Sequence, residues 1–181
     1  MTLPSMHKPR KICSSVFMDG KFYMIDAIGG SDAKFLTCGE EFDLQARTWR
    51  LIPKMSPGKS TAGPENNMRA TAEAPPLIAV VNNGLYVADY ADMEVKKYKK
   101  AAREWVTIGR LPERTGSMNG WGLAFRACGN RVIVIAGLRD CAEGTIVEVN
   151  SLVPNEGPPG WVVLDTKQSG SFVYNCAVMG C

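Results

Sequence analysis

Residues 42–55 read FDLQARTWRLIPKM, and residues 98–112 read YKKAAREWVTIGRLP. In both stretches an aromatic residue opens a short turning segment that ends seven positions later at a tryptophan, and a strand-like run then leads to a proline. These tryptophans are Trp49 and Trp105, and a third, Trp161, lies in GWVVLDT. The two separations between successive tryptophans are 56 and 56 residues. A shared period of this size predicts one supersecondary unit per repeat.

A second recurring unit stands upstream of each tryptophan: an apolar strand, a tight turn and another apolar strand. Its copies are SSVFMDGKFYMIDAIGG, IAVVNNGLYVAD and AFRACGNRVIVIAGL. Their turns contain Asp19-Gly20, Asn83-Gly84 and Gly129-Asn130, and such pairs favour the primed turns that match strand twist. Each repeat therefore supplies a hairpin and two further strands around the tryptophan turn. Four strands per repeat predict an all-β fold of propeller blades.

The sequence resembles the kelch-repeat family at these residues and at Gly29-Gly30, which follows the second strand of the first repeat. The third copy of the tryptophan turn is stretched by VNSLVPNEGPPG, and the double glycine is reduced in the later repeats. The segments MHKPRK, VFMDGKFYMIDAIGG, LTCGEEFDLQARTW and FVYNCAVMGC are similar to the C-terminal half of plant F-box/kelch-repeat proteins. The likeness covers nearly the whole chain.

We expect an incomplete kelch-type β-propeller with three blades, at about residues 10–55, 75–113 and 121–167. The segment LPSM at residues 3–6 matches IPKM after Trp49 and is interpreted as the end of an earlier blade. Residues 56–74 are predicted to form a long loop, and residues 171–180 the first strand of a further blade. Because a blade buries its faces against its neighbours, open faces at both ends predict a truncated gene model or fragment of a longer chain, or association with itself or another chain. The alternative is a small open stack of three sheets that is stable alone.

Composition argues against nucleic-acid-binding, membrane, secreted and metal-binding proteins. The net charge is +3, and the densest basic run, Lys96 to Arg103, is interrupted by Tyr98 and two alanines, so no nucleic-acid surface is expected. No stretch has the apolar length of a membrane span or a signal peptide. The six cysteines form no C-x-x-C pair, which argues against a metal site or other cofactor. Unpaired thiols predict the cytoplasm or nucleus.

Catalytic groups are not evident in the sequence. His7 is the one histidine, so any Ser-His or Cys-His arrangement requires it, and it lies in a short basic loop. The pair Glu40-Glu41 is expected to be solvated. The interpretation is a non-catalytic binding module. Two alternatives stay open: a kelch-type enzyme similar to specifier proteins or copper oxidases, which need metal ligands, and a structural scaffold that binds cytoskeletal partners.

Resemblance to F-box/kelch proteins implies recognition of a protein substrate for a cullin-RING ubiquitin ligase. In that family a helical F-box docks on the adaptor, and no segment of this sequence shows the required helices, so adaptor binding is not expected. Trp121, outside the period, is interpreted either as a packed side chain or as a partner anchor. Loops before the first strand and after the second strand of each blade are expected to form the partner-binding surface. The candidate residues are His7, Arg10, Lys11, Ser31, Asp32, Lys34, Asp89, Tyr90, Asp92, Arg114, Asn119, Arg139, Asp140 and Glu143.

Overall fold

The computed structural model describes residues 3–25, 28–29, 34–57, 74–113, 121–141, 144–154, 160–169 and 176–177. Within these ranges the regular structure is entirely β, with three four-stranded antiparallel sheets and one two-stranded ribbon. The predicted all-β fold of kelch blades from an incomplete propeller is confirmed.

The first sheet comprises strands β1 (Ser14–Met18), β2 (Lys21–Ile25), β5 (Gly39–Asp43) and β6 (Thr48–Ile52), in that spatial order. The connection from β2 to β5 contains the ribbon of β3 (Ile28–Gly29) and β4 (Lys34–Phe35). Gly29 approaches Leu36 closely there: a Cβ atom would lie 2.7 Å from the Leu36 side chain, which would have to move.

The second and third sheets repeat this order. The second contains β7 (Leu77–Val81), β8 (Gly84–Asp89), β9 (Glu94–Lys99) and β10 (Glu104–Arg110). The third contains β11 (Leu123–Cys128), β12 (Arg131–Cys141), β13 (Gly144–Leu152) and β14 (Val162–Ser169). In each sheet the predicted hairpin forms the first two strands, and the tryptophan stands at or next to the start of the last.

Tight turns join the first two strands of each sheet. Asp19 and Gly20 both have positive φ, as a type I′ turn requires. In the second sheet Asn82 and Asn83 take this role, with φ of 49° and 56°, so the turn lies one residue earlier than the predicted Asn83-Gly84 pair. Because asparagine tolerates the left-handed region, the turn does not need a glycine, and Gly84 instead begins β8.

The chain forms two compact units. One contains residues 1–76 and 98–106, and the other contains residues 77–97 and 107–181. In the second unit, β7 packs against β11 and β12, and the buried core between them includes Leu77, Tyr86, Phe125 and Val132. Adjacent sheets in this unit therefore bury one face of each, as propeller blades do.

The three periodic tryptophans make the same kind of hydrogen bond. Each indole Nε1 donates to a backbone carbonyl that lies 45 to 51 residues earlier in the chain. The acceptor of Trp105 is Met55 O, at 3.3 Å, and that of Trp161 is Arg110 O, at 2.7 Å. Trp49 donates in the same way to Pro4 O, at 2.9 Å.

Pro4, the acceptor of Trp49, lies within residues 3–6, which are predicted to end an earlier blade. These residues are not in a strand. In the predicted match Pro4 corresponds to Pro53, whereas the acceptor of Trp105 is Met55, two positions further along the chain. The end of an earlier blade at residues 3–6 therefore stays a prediction.

Two predicted segments lie mainly outside the described residues. For residues 56–74 the structure describes only the ends, at residues 56–57 and 74. For the predicted strand at residues 171–180 it describes Cys176 and Ala177, neither of which is in a strand.

Candidate partner-binding loops

A fully buried carboxylate holds the N-terminal segment on the first sheet. Glu40, on β5, accepts hydrogen bonds from the backbone N–H groups of His7 at 2.8 Å and Lys8 at 3.1 Å. It also accepts one from Arg10 Nε at 3.2 Å, and the Arg10 side chain is as fully buried as that of Glu40. Arg10 further donates to the carbonyl of Cys38, at 2.9 Å. This cluster fixes the path of residues 7–10.

Two sequence predictions are corrected by this cluster. Glu40 and Glu41 are buried rather than solvated, at 0% and 5% exposure. Burial is tolerated because each carboxylate has cationic partners. Arg10, predicted to contact a partner, has no exposed side-chain surface and instead anchors the loop to Glu40. His7 keeps half of its side chain exposed, with Nδ1 3.3 Å from Glu40.

Glu41 and Tyr23 form a second polar cluster, on the opposite face of the first sheet. They are cross-strand partners, and the phenol of Tyr23 hydrogen-bonds to the Glu41 carboxylate. Burial, with help from Glu41, raises the pKa of Tyr23 to about 12. For Glu41 burial alone raises the pKa, but hydrogen bonds from Arg50 and Lys21 outweigh it and leave the pKa below its ordinary value.

Lys11 links two of the predicted loops. Its backbone pairs with Ile28 through two hydrogen bonds of 2.9 Å, and Ile28 pairs with Phe35 in the ribbon. The segment before the first strand and the connection after the second strand therefore meet at one end of the first sheet. Lys11 is exposed there, and Lys34 lies in β4, in register with Gly29. Ser31 and Asp32 lie outside the described residues.

The candidate residues of the second sheet form a tight turn between β8 and β9. Asp89 Oδ1 accepts from the backbone N–H of Ala91 at 3.1 Å and of Asp92 at 3.3 Å. Lys96 bonds to Asp89 at 2.7 Å and to Asp92 at 3.1 Å. Burial lowers the pKa of Lys96, but these two carboxylates outweigh it and raise the pKa. Asp89 is thus a turn residue whose charge is compensated internally.

Tyr90 packs against the core of its unit, so it is a partly buried side chain rather than an open loop aromatic. Asp92 keeps 43% of its side chain exposed. Among the described candidate side chains, His7, Lys11 and Asp92 are therefore the ones that retain substantial solvent-facing surface.

The third sheet differs from the prediction. Arg139 and Asp140 were predicted in a loop, but the backbone of β12 continues through them to Cys141 and pairs with β13. A register shift between Gly137 and Arg139 accommodates this extension. β12 has 11 residues, against 6 for β8, so this hairpin extends well beyond its counterpart. Glu143, Arg114 and Asn119 lie outside the described residues.

An exposed aromatic pair was missed by the sequence interpretation. Phe17 and Phe22 are cross-strand partners on β1 and β2, with ring centroids 5.0 Å apart. Alternation along a strand predicts that they share a face, but not whether anything covers it. Trp121 is 38% exposed.

The fold and the repeated tryptophan bonds define the chain as a run of kelch-type propeller blades, and comparison with known proteins agrees. Residues 9–56 match the Kelch motif family model. The F-box/kelch-repeat protein SKIP11 of Arabidopsis thaliana is 62% identical over all of this chain and 38% of its own length. A second F-box/kelch-repeat protein of that plant is 58% identical over 100% of the chain and 43% of its own length.

These relatives confirm the predicted resemblance to plant F-box/kelch-repeat proteins, and the chain corresponds to a kelch-repeat portion of such a protein. It spans about two fifths of the length of the relatives it matches, 38% and 43%. Among solved structures, the chain resembles a fungal alcohol oxidase of the AA5 family in complex with copper, with a TM-score of 0.52. The matched region covers 96% of this chain and 35% of the oxidase chain. At 17% identity this likeness shows the fold alone.

Proposed function

We propose that the chain is a protein-interaction module and forms part of the substrate-recognition surface of an F-box/kelch subunit of a ubiquitin ligase. The observation that carries the proposal is the anchoring of residues 7–10 on buried Glu40, at the end of the first sheet where two loops meet. A loop held in one conformation loses little conformational entropy when a partner binds. The relationship to F-box/kelch-repeat proteins supports the class of partner.

The exposed lysines of this loop end suit an acidic segment of a protein partner. Lys8 and Lys11 are exposed, as is the side chain of His7, and the Glu40 carboxylate that anchors residues 7–10 is paired with Arg10. Charge complementarity of this kind contributes mainly to specificity and to the rate of association.

The test is affinity capture from plant cells with the proteasome active or blocked. The bait is the wild-type chain or a variant that combines His7→Asp, Lys8→Asp and Lys11→Asp. We expect captured proteins that accumulate when the proteasome is blocked and that the variant no longer binds. Arg47→Asp is the control, because Arg47 is exposed in the turn at the opposite end of the first sheet.

Other outcomes would contradict parts of the proposal. Captured proteins whose abundance does not change when the proteasome is blocked would indicate a scaffold, such as one for cytoskeletal partners, rather than a ligase. If the triple variant captures the same proteins in the same amounts, the loop is not part of the binding surface. We expect the chain in the cytoplasm or nucleus, where a ligase subunit acts. The free thiols of Cys38 and Cys128 suit these compartments, because both keep thiols reduced.

We also propose that the chain is non-catalytic. Within the described ranges no three His, Cys, Asp or Glu side chains cluster as metal ligands would. Metal analysis of the purified protein tests the oxidase alternative: stoichiometric copper would contradict the proposal.

Within the described residues, no helix is long and apolar enough to span a bilayer.

A further inference from the structure

The outer strand of the third sheet is a free sheet edge. β14 pairs with β13 on one side, and on its other side no strand among the described residues pairs with it. Its residues Val162–Gln168 are all exposed. The backbone N–H and C=O groups along such an edge can pair with a strand of another chain.

The exposure of β14 does not depend on a neighbouring sheet. Val163 is 52% exposed, yet it is the register partner of Asn150, which in turn pairs with Val134. Val134 belongs to the core shared with the second sheet, so Val163 lies on the face that the second sheet covers. Val106, which follows Trp105 as Val162 follows Trp161, is also 37% exposed. The open edge is therefore a property of the outer strands.

One backbone amide of this edge is bonded to a side chain instead of a strand. The N–H of Thr166 donates to Asp165 Oδ1 at 2.8 Å. Because this donor is directed at a carboxylate and not at β13, it faces the free edge, where the carbonyl of an added strand would accept it. Residues 165–169 also run in unbroken register with β13, beyond the shift that falls opposite Val149 and Asn150.

The charges along β14 are complementary to themselves. Asp165 and Lys167 flank Thr166 and lie on one face of the sheet, where they pair with Val149 and Val147. When two copies of this strand pair antiparallel about an axis at Thr166, each Asp165 stands opposite the other copy's Lys167, and such pairs are stabilising. An axis at Asp165 or at Lys167 would instead place two like charges opposite each other.

We propose that β14 pairs antiparallel with β14 of a second copy of this chain, about a two-fold axis at Thr166. The two Thr166 residues exchange N–H···O=C bonds, and each Asp165 moves from the amide of its own chain to Lys167 of the other. The contact is isologous, so it closes with two copies and joins two four-stranded sheets. It uses a hydrogen-bonding edge and no face of a blade, and it is independent of the ligase proposal.

The first test is sedimentation velocity over a series of concentrations. A single pair of strands buries little surface, so we expect conversion from the 19.7 kDa chain to twice that mass as the concentration rises. Thr166→Pro removes the amide donor at the axis and should keep the chain at single mass. Proline is tolerated where the N–H faces away from the sheet, and circular dichroism establishes that the strand content is kept.

Charge exchange tests the register. Asp165→Lys and Lys167→Asp each place like charges opposite one another, and each should weaken the dimer about tenfold. The double variant that combines both substitutions restores the opposite pairs and should dimerise as the wild type does. A mixture of the two single variants should form mixed dimers, because one chain then carries two lysines and the other two aspartates.

A wild-type chain that keeps single mass at every concentration would overturn the proposal, and so would a dimer that Thr166→Pro leaves intact. If the two single variants fold but do not associate when mixed, the antiparallel register about Thr166 is wrong. Amide hydrogen exchange gives a measurement without substitutions: exchange at Thr166 should slow as the concentration rises. An exchange rate that does not change while the dimer forms would place the contact elsewhere.

Discussion

The indole nitrogen of Trp161 lies 2.7 Å from the carbonyl oxygen of Arg110, the last residue of the preceding outer strand. The same bond recurs at Trp105 and Trp49 with the carbonyls of Met55 and Pro4. The three tryptophans of the 56-residue period thus share one kind of hydrogen bond, with acceptors 51, 50 and 45 residues upstream of Trp161, Trp105 and Trp49. Each tryptophan connects its sheet to the segment that precedes it.

Loss of this bond should weaken the fold. We expect Trp161→Phe to lower the free energy of unfolding by about 1 kcal/mol, since the ring body is largely kept while the donor to Arg110 is removed. Urea unfolding followed by circular dichroism measures the change. The neighbouring exposed Val162→Ala is the control and should stay within about 0.5 kcal/mol of wild type. Equal stability of Trp161→Phe and wild type would show that the bond contributes nothing.

Removal of Glu40 should be much more damaging than removal of a surface ion pair. Glu40→Leu leaves the buried Arg10 guanidinium without its anion, and we expect a loss of about 3–5 kcal/mol. The exposed Arg50, which pairs with Glu41, provides the comparison: Arg50→Met should cost at most about 1 kcal/mol.

A double variant separates the charge effect from packing. Arg10→Met combined with Glu40→Leu replaces the buried pair by apolar side chains, and it should recover most of the stability lost in Glu40→Leu. Recovery is incomplete because the N–H groups of His7 and Lys8 lose their acceptor. A double variant as unstable as Glu40→Leu would show that the carboxylate acts mainly through the backbone of the N-terminal segment.

Two buried tyrosines should respond oppositely to loss of the hydroxyl group. Among the described side chains, Tyr98 Oη is buried without a hydrogen-bond partner, whereas the phenol of Tyr23 bonds to Glu41. Tyr98→Phe should therefore be neutral or stabilising, and Tyr23→Phe should cost about 1 kcal/mol. Thermal and urea unfolding of the two variants measure this. Destabilisation by Tyr98→Phe equal to that by Tyr23→Phe would contradict the assignment of Tyr98.

Stability should fall at alkaline pH. The folded chain raises the pKa of Tyr23 from 10.0 to about 12, so the folded state keeps the phenol proton where the unfolded state loses it. The stabilisation is complete below pH 10.0 and is lost as the pH rises from there to about 12. Urea midpoints across this range should fall less steeply for Tyr23→Phe. Some dependence should remain, because burial also raises the pKa of Tyr98. Identical slopes would contradict the assigned shift.

The sequence predicted the sheets better than the loops, for physical reasons. Tryptophan spacing and turn pairs are local signals, and they located the hairpins and the outer strands. Burial depends on partners distant in sequence: Glu40 meets Arg10 30 residues away, and nothing near Glu40 indicates it. The second turn lies at Asn82 and Asn83 because asparagine also accepts positive φ. The exposed Phe17–Phe22 pair has the residue types of a core, so only the structure reveals its exposure.

In each of the three sheets, an indole hydrogen bond joins the sheet to the segment that precedes it. The most direct measurement is nuclear Overhauser contacts from the indole Nε1 protons in a sample with labelled tryptophan. We predict contacts from Trp49 to the Pro4–Ser5 segment, from Trp105 to Met55–Ser56 and from Trp161 to Arg110–Leu111. If any of the three indole protons contacts a different part of the chain, the repeats are not equivalent and the kelch-blade account fails.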